Sequence, residues 1–107
     1  MFNTKITWKR LGSINSAQIL ALPSDFNELE FVFDFKQFIV FRVSKQLIHA
    51  TLSEGGRIAF SAEYFDSGWK AVFLSIYVSP SSCYLASAAD ASKTDITASS
   101  FGVVNYR

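Results

Sequence analysis

The sequence holds a single cysteine, Cys83, and a single histidine, His49. One cysteine excludes an internal disulfide and any zinc site built from several cysteines. One histidine excludes the histidine clusters that many metal and acid–base sites use. We therefore interpret Cys83 as a small buried side chain, with a reactive thiol as the alternative. We expect His49 to lie on a strand and to be satisfied by a backbone partner.

Charge of either sign is also scarce and evenly spread. The ten lysines and arginines nearly balance the nine acidic residues, and neither sign forms a run. Such a chain lacks the electrostatic signature of proteins that bind nucleic acid or anionic membranes. No apolar run reaches the roughly eighteen residues of a membrane helix, and the N-terminus lacks the apolar core of a secretion signal. We expect a chain made in a cytoplasm, with no nucleic-acid partner and no membrane insertion.

Motifs that carry catalysis or hold cofactors are missing as well. The sequence has no Gly-x-Ser-x-Gly nucleophile turn and no glycine-rich phosphate loop, since the pair Gly55-Gly56 alone is typical of a hairpin turn. Glu28, Glu30 and Asp34 share one face of a strand, where two carboxylates could serve a glycosidase, but a solvated face explains the same pattern. We predict no enzyme activity, no metal site and no cofactor.

Alternating apolar residues predict strands along most of the chain. Short strands with turns about every eight to twelve residues predict one all-β domain over residues 1–107, an antiparallel β-sandwich of jelly-roll-like or barrel-like form. Residues 1–7 are expected to form a flexible, linker-like segment. The predicted strands are SAQILAL, ELEFVFDF, QFIVFRVSK, QLIHATL, RIAFSAEY, WKAVFLSIYVS, CYLASA and SFGVVNYR, with a further short strand at 95–98.

Two predicted strands, WKAVFLSIYVS and the first part of QFIVFRVSK, are apolar on both faces. In WKAVFLSIYVS, the positions of Val72, Leu74, Ile76 and Val78 alternate with those of Trp69, Phe73 and Tyr77. One set can line the core while the other meets a neighbouring subunit, in either order, because a sandwich strand has only one core face. The alternative is that Trp69 and Tyr77 lie under loops at the strand ends. The predicted oligomer interface consists of Trp69, Phe73, Tyr77, Phe38 and Val40.

Several stretches resemble a known group of domains. They are Trp8 with Leu11-Gly12, the turn and strand LPSDFNEL at Leu22–Leu29, the FDSGW turn, the YVSPSSCYL strand pair and the ending Val103–Arg107. Together, over residues 8–107, they resemble the small C-terminal domains of tail-fibre and receptor-binding proteins of bacteriophages and prophages.

The resemblance implies a β-knob at the tip of a tail fibre in the virion, synthesised in the cytoplasm of the bacterial host. Such knobs are commonly homotrimers that bind a surface glycan or protein receptor, often a saccharide. A saccharide site would combine an aromatic platform with short polar side chains. Residues of the right type for ligand binding are Tyr64, Asp66, Trp69 and Tyr84. The alternative is a structural virion subunit or trimerising cap that binds no ligand.

Overall fold

The chain forms two four-stranded antiparallel sheets in a sandwich-like all-β architecture. The computed structural model describes residues 7–35, 37–51 and 54–107. Its elements are β1 (Lys9–Ile14), β2 (Leu20–Ala21), β3 (Glu28–Asp34), β4 (Phe38–Ser44), α1 (Lys45–Thr51), β5 (Gly56–Phe65), β6 (Trp69–Val78), β7 (Ser82–Asp90), a 3-10 turn (Thr97–Ser99) and β8 (Gly102–Tyr106). Most of the predicted linker, residues 1–6 of 1–7, lies outside the described residues.

The strand order is β1-β8-β3-β4 in the first sheet and β2-β7-β6-β5 in the second. Three neighbouring pairs, β3–β4, β5–β6 and β6–β7, are hairpins between strands consecutive in the chain. Pairing of β1 with β8 places the first and last described strands side by side, and the short strand β2 pairs with β7 at the edge of the second sheet. The strands β4 and β5 lie at sheet edges, and α1 connects them.

Both sheets contribute to one apolar core. Phe31 and Phe33 on β3 are fully buried and belong to the same cluster of buried residues as Ile76 on β6 and Leu85 on β7. Phe41 on β4 stacks on Phe60 on β5 with 3.5 Å between ring centroids, which joins the two sheets directly. The predicted alternation of ELEFVFDF is confirmed, because its phenylalanine face is buried.

One predicted strand, QLIHATL, is wrong: its residues 46–51 lie in the helix α1, and its last residue lies outside the described residues. The hydroxyl of Ser44 accepts a hydrogen bond from the Leu47 amide at 3.1 Å, which is the contact of a helix N-cap. Ile48 enters the core while Leu47 stays exposed, so the apolar residues follow a helical and not an alternating pattern. The prediction that His49 lies on a strand is therefore also wrong, and its side chain is exposed on α1.

Other strand boundaries also differ from the prediction. β1 was not predicted, and only Leu20–Ala21 of SAQILAL forms a strand. The short strand predicted at 95–98 reduces to a single bridge between Asp95 and Ala89, followed by the 3-10 turn. The Asp95 carboxylate accepts hydrogen bonds from the Thr97 amide and hydroxyl, which fixes this segment as a turn.

Candidate functional site

The outer face of the second sheet carries exposed aromatic side chains. Val72, Leu74, Ile76 and Val78 on β6 are buried in the core, so the alternate residues of the same strand point outward. Trp69 is 74% exposed and Phe73 is 45% exposed. The sequence left open which set of β6 side chains lines the core. In the structure the aliphatic set lines the core and the aromatic set points outward. We call this outer surface the aromatic face.

Small side chains separate the aromatic residues of this face. Across the strands, Ser75 pairs with Ala59 on β5 and with Ser87 on β7. Phe73 pairs with Ser61 on one side and Ala89 on the other. These small residues leave a shallow hollow of about 270 Å³ beside the Phe73 ring. The result is a flat floor of methyl and hydroxyl groups from which aromatic rings rise.

Aromatic pairs close the two ends of the face. At one end Trp69 meets Phe65 edge to face, with 5.7 Å between ring centroids. At the other end Tyr77 and Tyr84 are stacked at 4.9 Å and half-buried. Trp69 and Tyr77 are eight residues apart on β6, which corresponds to about 27 Å. Phe73 lies midway, so three aromatic positions follow one another at intervals of about 13 Å.

The four residues predicted to bind a ligand do not form one site. Tyr64 belongs to the inner side of β5, with its ring 6.1 Å from that of Phe35. It lines a hollow at one end of the two sheets together with Asp66, and the Asp66 carboxylate lies 3.3 Å from Lys70 Nζ. Trp69 is on the aromatic face beyond this turn, whereas Tyr84 lies at the far end of that face.

The five residues predicted to form an oligomer interface are divided between two surfaces. Trp69, Phe73 and Tyr77 lie on the aromatic face. Phe38 and Val40, which are 75% and 47% exposed, lie on the outer face of the first sheet, on the opposite side of the molecule. A single self-complementary patch cannot contain both sets.

The carboxylates of the first sheet take part in a bonded network. Glu30 is only 8% exposed. Its carboxylate accepts hydrogen bonds from Arg42 Nε and Asn105 Nδ2, each at 3.0 Å. Arg107 Nε donates to Glu28 Oε1 at 2.8 Å. These partners show that Glu28 and Glu30 hold strands together, which differs from the solvated face that the alternation predicted.

Trp8 covers this network from the outside. Its ring lies 4.2 Å from the Arg107 guanidinium carbon and 5.3 Å from that of Arg42. Cation–π contact with both guanidinium groups helps to hold them near the carboxylates of β3. Trp8 therefore has a structural role in the first sheet, which a single aromatic residue before a strand does not reveal in the sequence.

Two side chains, those of Cys83 and Asp95, have pKa values shifted by their surroundings. Cys83 is fully buried, and burial raises the pKa of its thiol to about 12. Hydrogen bonds from the Thr97 side chain and amide lower the pKa of the Asp95 carboxyl. Within residues 7–35, 37–51 and 54–107, no three histidine, cysteine or acidic side chains are grouped as metal ligands would be. In the same residues no helix is long and apolar enough to span a membrane.

Sequence reasoning missed part of the aromatic face. Phe65, Ala59 and Ser61 were not among the predicted site residues, although in RIAFSAEYF small or polar residues alternate with Ile58, Phe60 and Tyr64. No protein-family model, curated protein or solved structure matches the chain. The resemblance to phage fibre domains therefore rests on the sequence stretches quoted above.

Proposed function

We propose that this chain is a non-catalytic recognition module at the tip of a phage tail fibre, and that its aromatic face binds a saccharide of the bacterial surface. The observation that carries the proposal is the row of Trp69, Phe73 and Tyr77 above a floor of alanine and serine. A pyranose ring has an apolar face and a rim of hydroxyl groups. Aromatic rings match the first feature, and nearby serine hydroxyls match the second.

The size of the aromatic face favours a glycan over a protein receptor. Three strands of about 27 Å give a strip about 14 Å wide, or about 380 Å² in projection. A stable protein interface covers about 800 Å² on each partner. The strip is therefore small for a protein and suitable for a few sugar units.

The charge on the face favours a neutral ligand. Arg57 and Glu63 stand on the outer side of β5, one toward each end of the strand. Their opposite charges cancel over the length of a ligand that spans the face. A polyanionic wall polymer would be expected to require an excess of basic residues here.

Binding to bacterial cells tests the proposal. We expect the purified protein to bind cells or isolated wall polysaccharide from some members of a panel of bacterial species. Periodate, which oxidises vicinal diols of sugars, should abolish binding, whereas protease treatment of the cells should leave it unchanged. Binding that is lost after protease and retained after periodate would point to a protein receptor and contradict the proposal.

Two matched variants connect the binding to the face. Trp69→Ala removes an exposed ring of the aromatic face, whereas Phe38→Ala removes an equally exposed ring from the opposite side. Covering about half of the exposed Trp69 surface, about 90 Å², contributes about 2 kcal/mol, so we expect Trp69→Ala to weaken binding roughly 30-fold. Phe38→Ala should not change it. Equal effects of the two variants would exclude the aromatic face as the specific site.

The second candidate function is a trimerising cap with a jelly-roll-like or barrel-like knob. The observation in its favour is that Phe38 and Val40 are exposed on one outer face while Trp69 is exposed on the other. Two different faces can meet head to tail, and such contacts form a ring such as a trimer when the rotation between neighbouring copies closes, and an open filament when it does not. This candidate predicts a solution mass three times 11.9 kDa. It also predicts that Trp69→Ala and Phe38→Ala both reduce that mass, whereas the saccharide proposal predicts no change in mass from either variant.

A further inference from the structure

The strand β5 is a long edge without the usual protection. Within the described part of the chain its one strand neighbour is β6. The β5–β6 pairing runs through all ten residues of Gly56–Phe65 without a register shift. Natural edge strands are typically short or carry charged side chains, above all lysine, or proline or a bulge that prevents further pairing; the two charges of β5, Arg57 and Glu63, are opposite in sign and so do not repel a second copy. The sequence of β5, GRIAFSAEYF, has neither lysine nor proline, and the opposite edge strand β2 has only two residues.

One hydrogen bond shows which backbone groups of β5 point away from the sheet. The Phe65 amide donates to Gln37 Oε1 at 3.4 Å, and Gln37 lies in the turn between β3 and β4. The Phe65 amide therefore points away from β6. Alternate residues of a strand direct their backbone groups to the same side. The amides and carbonyls of Arg57, Ala59, Ser61 and Glu63 are accordingly directed outward.

We propose that β5 pairs with β5 of a second copy of the chain, antiparallel and centred on Phe60, so that one continuous sheet crosses both molecules. In this register Arg57 lies opposite Glu63 of the second copy, and Ala59 lies opposite Ser61. The two-fold symmetry repeats each pair. Four residue pairs then exchange both backbone hydrogen bonds, in the pattern of an antiparallel ladder.

The positions of the two charges select this register. Arg57 and Glu63 are each three residues from Phe60, on the same face of the strand. A shift by two residues in either direction puts Arg57 opposite Ser61 or Phe65 and removes both ion pairs. A shift by one residue places outward backbone groups opposite inward ones. Opposite charges that face each other across a strand pair stabilise it.

The apolar side of the strand supports the same pairing. Phe60 is partly buried and stacks on Phe41 at the open side of the sandwich. In the proposed dimer it lies next to Phe60 of the second copy, and Ile58 lies next to Ala62. The paired segment, 57–63, ends before Phe65, so the contact of Phe65 with Gln37 is retained. Neither outer face is covered, and the proposal is independent of what the aromatic face binds.

Charge reversal tests the pairing. The measurement is solution mass by light scattering behind a sizing column, on the natural chain and on the variants Arg57→Glu, Glu63→Arg and the double variant. Each single reversal places like charges opposite each other twice, so we expect it to halve the mass of the natural assembly. The double variant restores opposite charges and should restore the mass. Arg10→Glu makes the same change of charge on β1, away from β5, and should leave the mass unchanged.

Hydrogen exchange provides a test that needs no variant. The outward amides of Arg57, Ala59, Ser61 and Glu63 should exchange slowly at high protein concentration and quickly at low concentration. The inward amides of β5, bonded to β6, should remain protected at both. A natural chain that is monomeric at every concentration, single reversals that leave the mass unchanged, or outward amides that exchange quickly at all concentrations would each overturn the proposal.

Discussion

Phe41 and Phe38 provide a matched pair of variants that tests how the two sheets pack. They lie three residues apart on β4 and point to opposite sides of the first sheet. The Phe41 ring is stacked on Phe60 and lies 5.6 Å from Phe31 and 6.1 Å from Phe33, between centroids. The Phe38 ring is 75% exposed.

Phe41→Ala should destabilise the fold strongly, because it removes the ring that joins the sheets. Truncation of a buried phenylalanine costs about 3–5 kcal/mol. Phe41 is only partly buried, so we expect a loss near the lower limit, about 3 kcal/mol. For a domain of this size that corresponds to a fall in Tm of roughly 12–24 °C. Phe38→Ala should change the free energy of unfolding by less than about 0.5 kcal/mol.

Urea and thermal unfolding, followed by circular dichroism at two protein concentrations, measure both effects. A loss below about 1 kcal/mol for Phe41→Ala would refute a core shared by the two sheets. A loss for Phe38→Ala comparable to that for Phe41→Ala, growing with protein concentration, would show that a second copy covers Phe38. That result would favour the trimerising cap.

Three further predictions concern other parts of the fold. Burial raises the pKa of the Cys83 thiol from 9.0 to about 12, so as pH rises the thiol ionises first in the unfolded chain. The free energy of unfolding should therefore fall between pH 9 and pH 12, and it should fall less in Cys83→Ala. The native protein should also resist thiol reagents at pH 8. Glu30→Gln removes the charge that pairs with Arg42 and should cost about 1 kcal/mol in urea unfolding, because solvent screens the half-exposed Arg42 side chain; a negligible loss would exclude a structural ion pair. Gly55 has φ +89°, and a Cβ added there would overlap the Tyr77 hydroxyl. Gly55→Ala should therefore lower the free energy of unfolding by about 2 kcal/mol and change the near-ultraviolet circular dichroism of the tyrosines. An unchanged spectrum would contradict that contact.

The sequence predicted the elements whose residues alternate regularly. In β3, Leu29, Phe31 and Phe33 are buried as their alternation predicts. Glu30 on the other face is buried too, because Arg42 and Asn105 bond its carboxylate. The order of faces in β6 was not predictable, because both faces are apolar and only the position of the other sheet decides between them. Trp69 is exposed, so the alternative that it lies under a loop is wrong, and its place in an oligomer interface stays a prediction.

The errors arise where a local interaction prevails over apolar alternation. QLIHATL contains enough apolar residues for a strand, but the side chain of Ser44 caps the first turn of a helix. A serine just before a run of helix-forming residues was the available signal. The split of the predicted ligand-binding residues has a different cause. Tyr64 and Tyr84 were chosen by residue type, and type does not indicate which end of a strand or which side of a sheet a residue occupies.

Nuclear magnetic resonance with wall glycan fragments tests the central claim most directly, because it identifies the face that a ligand contacts. Fragments from a bacterium that binds the protein would be titrated into labelled natural protein. We predict saturable shifts at the Trp69 indole and at the amides of Ala71, Phe73 and Ser75, with little change at Val40 or Val103 on the first sheet. Shifts confined to the first sheet, or no saturable shifts with fragments of a glycan that retains the intact protein, would contradict a saccharide site on the aromatic face.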